Sequence, residues 1–563
     1  MGLESFTDWR GDPVDKAKHG GHIAASFINT KAGMTSMTSV PNFLMLVTYL
    51  HNVMHMAIAK TSTTMVNFYG TTCAFALVGG FLSDSYINRF KTILIFSPLQ
   101  FLAYGLLAIG AHFGSLHPRE CDVERANCEA VHGLKSVLLY ATLYIMALGE
   151  GGLRANIASF GGDQFDDDDP AEMRQKSSFF NWYTFSLSMG TFAGLILVVW
   201  AEDNKGWVFG FILSASLTLV GVLVIVSGFP FYRIQRPSGS PLTRILQVFL
   251  VAFRKRKLTL PENEAELHRE QLKEDKVGGE VLPHTKGFKF LDKAAMYDGN
   301  AGNWSLCTVT QVEETKIVFR LAPIFISAVL TYISIPLLVT FTIQQGATMN
   351  KKLGTIRISP AVLFTIPVML QMIILPAYDR LFVPFARRLT GYKNGITPLQ
   401  RVGVGFIANS LATLVAGLIE RKRKSIAEEH GLMDARTGLP MSMFWLGAQF
   451  FFLAIVDATA FTGLLEFFNT EVSRGMKSLG TAIFWCIQGL GSFLGTTLVN
   501  IVNDTTSHGN GKKIGWLGGN NLNRNHLDRF YWLLSVLGLV SFLNYLFWAR
   551  RYVYRINPVI VSD

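Results

Sequence analysis

Glu150 and Arg154 stand four residues apart in the segment Gly149–Phe165, GEGGLRANIASFGGDQF, where an apolar run carrying Leu138, Leu139, Leu143, Ile145, Met146 and Leu148 gives way to polar residues. The spacing sets both charges on one helical face, so the pair can simply neutralise itself inside a bundle. An arginine at such a seam is also expensive to hold in lipid, and ions in that position usually serve a cavity. Both readings stay open on the sequence. Other chemistry is scarce. The twelve histidines are dispersed, with no Cys/His cluster, so no metal site is expected. No nucleophile and base pair or nucleotide-binding loop stands out, and an enzyme is the least expected class. Of five cysteines, Cys121 and Cys128 share one loop and can form a disulfide if that loop faces an oxidising compartment.

The elements that would position these residues are membrane spans. With 563 residues, half of them hydrophobic and 16% charged, the chain is too apolar for an ordinary water-soluble protein of its size. Its net charge of +11 resides in loops between apolar runs, where it orients a chain in a membrane; no nucleic-acid partner is expected. The first residues hold Asp8, Arg10, Asp12, Asp15, Lys16 and Lys18, which is not a cleavable signal. At roughly 20 apolar residues per crossing, spans are expected near 24–50, 64–83, 92–113, 135–153, 179–200 and 207–230, then 317–341, 358–377, 398–419, 441–465, 478–501 and 530–549. The fold class is therefore all-α membrane, with twelve transmembrane helices in two six-helix bundles. The organisation reads as a cytosolic tail 1–23, a bundle 24–230, a cytosolic linker 231–316, a second bundle 317–549 and a cytosolic tail 550–563.

Positive charge supports this orientation: Arg89, Lys91, Arg174, Lys176, Arg380, Arg387, Arg388, Arg474, Lys477, Arg550, Arg551 and Arg555 fall inside, and Cys121 and Cys128 fall outside. The run Arg421–Lys424 disagrees, since it would lie outside after the ninth span. Within the linker, 242–257 reads as an amphipathic helix at the inner membrane surface, and Pro261–Lys286 as a mobile connection. The sequon at Asn303 would then be cytosolic and unused, and that at Asn503 too close to the membrane.

Gly80-Phe-Leu-Ser-Asp84-Ser-Tyr-Ile-Asn-Arg89-Phe-Lys91 resembles the loop motif of the major facilitator superfamily, in which an acid and two bases at a tight turn lock two helices in one conformation. Tyr378-Asp379-Arg380 and Gly391–Arg401 echo it in the second half. A closer resemblance, over nearly the whole chain, is to the proton-coupled oligopeptide transporter family and its plant nitrate/peptide branch. It rests on His19-Gly20-Gly21, GEGGLRA with Asp163-Gln164-Phe165, Lys176–Tyr183, Gly239–Arg244, Glu313–Lys316, Gly395–Gly403 and Leu465–Phe468, in that order and spacing. The resemblance implies alternating access about a central site, driven by a proton gradient with no other cofactor. It assigns the basic site residue to Arg154, fifth-helix aromatic positions to Trp182 and Tyr183, and a tenth-helix carboxylate to Glu466. An arginine there offers a carboxylate or nitrate a bidentate fork, where lysine offers a point charge. A carboxyl in a dry cavity is kept neutral by desolvation and charged by a nearby cation, so its proton can depend on which side is open to water. Structural roles remain as alternatives: a helix-end partner for Glu466, packing for Trp182 and Tyr183.

The sequence departs from that family in its first span. Where two glutamates and a basic residue are usual, Ala32, Thr35 and Ser36 stand, so coupling would fall to Glu466, with Glu150 or Asp457 as further candidates. Lys31 either snorkels to the inner interface or adds a cation to the cavity. The seventh span has no histidine, and Ile335 or Pro336 occupies that region, which weighs against nitrate bound in that mode. The expected function is a secondary transporter for a small anionic or zwitterionic solute: nitrate, a peptide, a carboxylated hormone or a glycoside. An uncoupled facilitator or exporter, and a ligand-binding membrane sensor, are the alternatives. The expected partners are the solute and membrane lipid, the protein acting as a monomer or weak oligomer in the plasma membrane or the vacuolar membrane.

Overall fold

A computed structural model of the chain describes residues 6–8, 10–16, 18–119, 121, 128–166, 169–235, 241–259, 267, 282–297, 304–354, 356–391, 395–435, 438–473, 476–508 and 515–554. Most of the expected 261–286 connection, the Asn303 sequon, Arg474 and Arg555 lie outside these residues, as do the side chains of Arg174 and Lys477.

Among the described residues, eleven helices are long and apolar enough to cross a membrane. The first six-helix set comprises Gly21–Asn52, Ile58–Ser85, Arg89–His112, Gly133–Gly162, Pro170–Lys205 and Trp207–Ser227. The second comprises a seventh span in two pieces, Val309–Tyr332 and Ser334–Thr348, then Pro360–Thr390, Pro398–Glu429, Met443–Glu471, Lys477–His508 and Leu527–Arg551. The first helix has the length but is too polar to count with the eleven. Its hydroxyls are satisfied internally: Thr30, Thr35 and Ser39 each donate to the carbonyl four residues back, at 2.9, 3.0 and 2.9 Å. That lets a polar sequence persist where no water serves it.

Packing repeats between the halves. In the first, helix 1 lies on 5 and 6, helix 3 on 4 and 6, and helix 2 on 4; in the second, 7 lies on 11 and 12, 9 on 10 and 12, and 8 on 10. This internal repeat is the organisation of the major facilitator fold. The halves meet through helix 2 against 11, helix 5 against 8, and helix 1 against the Ser334–Thr348 piece. Cross-half contacts include Gln344 Nε2 donating to Ser62 Oγ at 2.8 Å and the Ser359 hydroxyl on the Met45 sulfur at 3.6 Å. Both lie toward the end where Val131, between the disulfide loop and helix 4, bonds to Met54.

Several boundaries differ from the sequence reading, for physical reasons. The ninth helix does not stop at 419 but runs to Glu429, carrying the anomalous basic run within it. Arg423 is fully buried against Glu420 at 2.7 Å and donates to Asn523 Oδ1 at 2.5 Å, Lys424 meets Asp528 at 2.9 Å, and Lys422 sits 3.7 Å over the Trp445 ring. Neutralised charges of this kind say little about orientation. The residues before the first span are not a free tail: Phe6–Thr7 forms a two-residue strand against Ile234–Gln235. Beside it, buried Arg233 donates to the His19 carbonyl at 2.9 Å and pairs with Glu172 at 2.7 Å, while the Gln164 side chain accepts from the Arg233 amide at 2.9 Å. Four separate segments are thereby clamped at one end of the first half.

The expected amphipathic helix is present as Pro241–Arg254. It buries Val248, Val251 and Ala252 against Leu291, Ala294 and Val312 and exposes Leu242, Leu246 and Phe253. The seventh span starts at Val309 rather than 317, because Lys316 is enclosed by Asp292 and Glu313, each at 2.7 Å, and fixes the end of the linker to that helix. His284, Asp292 and Glu313 converge as metal ligands would, but the Lys316 ammonium already serves those carboxylates.

Removing one partner of a buried ion pair leaves the other uncompensated, at a cost of about 3–5 kcal/mol. Arg423→Ala is expected to lower the midpoint of thermal unfolding in detergent and to deplete the protein from the membrane; Arg421→Ala, on the exposed face, is not.

Candidate functional site

The fourth helix can reach the centre because its glycines let neighbouring backbones approach. A Cβ on Gly151 would fall 2.5 Å from the Thr72 carbonyl oxygen and 2.9 Å from the Ala76 amide. One on Gly149 would fall 2.7 Å from the Gln100 amide, and one on Gly79 would fall 2.7 Å from the Gly152 Cα. The second, third and fourth helices are thus as close as backbones allow, and Glu150 and Arg154 are delivered to fixed positions.

Arg154 Nε donates to Glu150 Oε1 at 3.0 Å, and a second guanidinium nitrogen meets the same oxygen. The guanidinium also lies 5.4 Å from the Tyr69 ring centroid and 5.5 Å from that of Trp485. Tyr69 belongs to helix 2 and Trp485 to helix 11, and the Tyr69 hydroxyl donates across the same seam to Gln488. The arginine is thus neutralised by Glu150, as one of the sequence alternatives has it, and faces the junction of the two halves. Its side chain keeps 23% of its surface accessible, against 3% for Glu150.

Around this pair the expected residues separate. Tyr183 packs on Phe179 at 5.9 Å and lies within electrostatic reach of Arg154. Trp182 turns to a different face, pairs with Phe185 and is 59% exposed, so it is not gathered with Arg154. Glu466 is not brought to Arg154 either. It pairs with Arg401 at 3.6 Å, near the start of the ninth helix, and is 35% exposed. Arg401 in turn donates to the Ala458 carbonyl at 2.8 Å and stacks 4.4 Å over the Tyr378 ring.

Asp457 instead opens a π turn, Asp457–Phe461, in the tenth helix and lies within electrostatic reach of Tyr69 and Tyr332. Tyr332 ends the first piece of the broken seventh span, and its hydroxyl has no partner among the described residues. Irregular backbone inside a membrane is tolerated where protein or a cavity serves it. Tyr69, Tyr332, Trp485 and Gln488 were not singled out from the sequence. Pro336, shortly after the break, was the one available signal for Tyr332; isolated aromatic residues in apolar helices give none.

At the turn between helices 2 and 3, Arg89 pairs with Asp163 at 2.5 Å and with Asp84 at 3.3 Å. The lock expected from Asp84, Arg89 and Lys91 thus gains Asp163 from the end of the fourth helix. Lys91 is exposed, its amide capped by Asn88. Gly79, just before this motif, makes a close crossing with the fourth helix, while a Cβ on Gly80 would be at an ordinary 3.8 Å from Ala155. Cys121 and Cys128 form a disulfide. Lys31 reaches no interface; it is buried at 1% exposure, and a Cβ on Gly221 of the sixth helix would lie 3.5 Å from its Nζ.

Residues 90–517 match the model of the POT family. The chain is 40% identical to Protein NRT1/ PTR FAMILY 4.6 of Arabidopsis thaliana over 98% of this chain and 97% of that one, and 38% identical to Protein NRT1/ PTR FAMILY 4.3 of the same plant over 100% and 95%. Among solved structures, the POT family transporter PepTSo superposes with a TM-score of 0.69 at 16% identity, covering 94% of this chain and 98% of that one.

Since the Gly151 position faces unyielding backbone, Gly151→Ala should push helices 2 and 4 apart and move Arg154 off the seam. We expect solute flux per molecule at the membrane to fall by up to about 100-fold, the scale on which an ångström of misplacement acts. Gly105→Ala, whose Cβ would meet open space, should leave flux unchanged.

Proposed function

The chain belongs to the POT family, a family of transporters and not of enzymes, and on that premise we propose that it carries a small anionic or zwitterionic solute by alternating access, driven by inward proton movement. The observation that carries this reading is the Arg154 guanidinium, held by Glu150 and two aromatic rings at the junction of the halves. In that state the cation is stored. A proton on Glu150 cancels its charge and frees the fork of Arg154 for a carboxylate or nitrate oxygen pair, so solute and proton load together. Asp457, on the opposite half, is a second carboxyl within reach of Tyr69 and a further place for a proton. Tyr183 shapes the pocket. The Asp84–Arg89–Asp163 lock opens and closes with the rocking motion.

A second reading, facilitated flux without coupling, is favoured by one feature: the first helix offers Ala32, Thr35 and Ser36 and no acid. We place the protein as a monomer in the plasma membrane, with the Cys121–Cys128 loop outside; a disulfide there suits an oxidising compartment.

Uptake into oocytes, measured for nitrate, a dipeptide, a carboxylated hormone and a glycoside at acidic and neutral external pH, tests the reading. Acid-stimulated uptake of one of them is expected. Arg154→Ala should lower it about 100-fold at equal surface expression, a loss of about 2.7 kcal/mol of transition-state stabilisation. Asp457→Asn should flatten the pH dependence. Uptake that ignores pH in the unaltered protein would select the uncoupled reading, and normal uptake by Arg154→Ala would remove Arg154 from the site.

A further inference from the structure

The first half contains buried polar groups that neither the site nor the packing accounts for. Glu202, in the last turn of the fifth helix, is 2% exposed, and both of its carboxylate oxygens are unpartnered among the described residues. Tyr104 and Gln100, one turn apart on the third helix, are each fully buried, and no well-formed hydrogen bond reaches the Tyr104 hydroxyl or the side-chain amide of Gln100 among the described residues. Tyr104 lies within electrostatic reach of two carboxylates, Glu150 and Glu202, and its hydroxyl interacts with Thr38 of the first helix and with Gln100.

The depths of these groups are graded. At about 1.5 Å of rise per residue, Glu202 lies some 5 Å in from its helix end at Lys205, and Tyr104 about 12 Å and Gln100 about 18 Å from theirs at His112. On the same scale, Glu150 lies about 25 Å from the start of its helix at Gly133, and a Cβ on neighbouring Gly149 would fall 2.7 Å from the Gln100 backbone nitrogen. All these ends belong to the side that carries the disulfide loop. Buried polar atoms in native proteins find partners, and where protein supplies none, internal water does. A file of acid, hydroxyl and amide with water between them passes protons.

We propose that Glu202, Tyr104 and Gln100 line a proton path inside the first half, leading from its disulfide-bearing end to Glu150. Glu202 takes a proton from water at that end. A proton is then handed along: the Tyr104 hydroxyl gives its proton to the next water while receiving one from the Glu202 side, and Gln100 orients the water that protonates the Glu150 carboxylate. Each transfer forms one O–H bond and breaks another, and the net result is one proton moved and the Glu150–Arg154 pair opened. The path would supply what the acid-free first helix cannot, and it rests on the coupled reading above.

Glu202 faces Asp203 on its own helix, Tyr104 on the third and Gly210 on the sixth. Glu150 faces Arg154 on its own helix, Cys73 on the second and Tyr104 on the third. Asp203 itself points to Lys351 and Arg357 of the other half.

Two measurements on the full-length protein decide the matter. Infrared difference spectra of purified protein between acidic and neutral pH should contain a buried carboxyl band that Glu202→Gln removes and Tyr104→Phe shifts. In proteoliposomes, with radiolabelled nitrate and a labelled dipeptide as probes, both variants should lose at least tenfold in uptake driven by an imposed pH gradient. Counterflow, with solute on both sides and no gradient, should stay within twofold. Gradient-driven uptake within twofold of the unaltered protein in both variants would overturn the path, as would an infrared band that both leave untouched. If Glu202→Gln fails to accumulate, Tyr104→Phe, which keeps the ring, carries the test alone. Absence of gradient-driven uptake in the unaltered protein would instead sink the coupled reading, and the infrared arm would still report whether the seam takes up a proton.

Discussion

The rest of the structure depends on keeping charge out of lipid unless it is partnered. Apolar helices gain little by leaving hydrocarbon for one another, so packing geometry and polar contacts must fix their arrangement. Here the buried ions do so at separate places: Arg233 with Glu172 at one end of the first half, Arg423 with Glu420 at the far end of the ninth helix, Lys316 with Asp292 and Glu313 where the linker meets the seventh, and Arg154 with Glu150 at the centre. The first three join segments within one half. The fourth stands where the two halves meet, with rings from helices 2 and 11 over its guanidinium, so its state bears on both.

Close helix crossings convert that constraint into a site. Because the Gly149–Gly152 segment abuts the backbones of helices 2 and 3, the fourth helix has no freedom to slide, and the Glu150–Arg154 pair is positioned by main chain rather than by flexible side chains. The second half is built differently. Its seventh span is broken after Tyr332, and its eighth and tenth helices each contain a π turn, Tyr378–Phe382 and Asp457–Phe461. A regular half thus presents the cation, and an irregular half presents Asp457 and Tyr332 beside Tyr69.

Much of the architecture was legible in the sequence because apolar run length is a strong signal in membrane proteins. All twelve spans, the amphipathic 242–257 segment and the Cys121–Cys128 pair correspond to elements present. Boundaries were less legible where charge lies within a helix, as with Arg421–Lys424, since pairing with Glu420 and Asp528 is a tertiary fact. In the site, Glu150 and Arg154 were legible because i, i+4 spacing is local. The association of Glu466 with Arg401 depends on helix rotation, which the π turn in the same helix changes, and the turning of Trp182 away from Arg154 depends on the rotation of the fifth helix. Asp163 was visible as part of a motif, yet its contact with Arg89 joins residues far apart in sequence.

Arg401 gives the irregular half a mechanical property. Its guanidinium holds the carbonyl of Ala458 inside the tenth-helix π turn, lies over the ring of Tyr378 at the start of the eighth-helix π turn, and reaches Glu466 one side chain further on. π turns are the weak joints of long helices, where hydrogen bonding is already irregular. With one cation spanning both joints, a bend in the tenth helix pulls on the eighth, and the ends of the two helices beyond the joints swing as a single lever. The ninth helix, from which Arg401 projects, is the fulcrum.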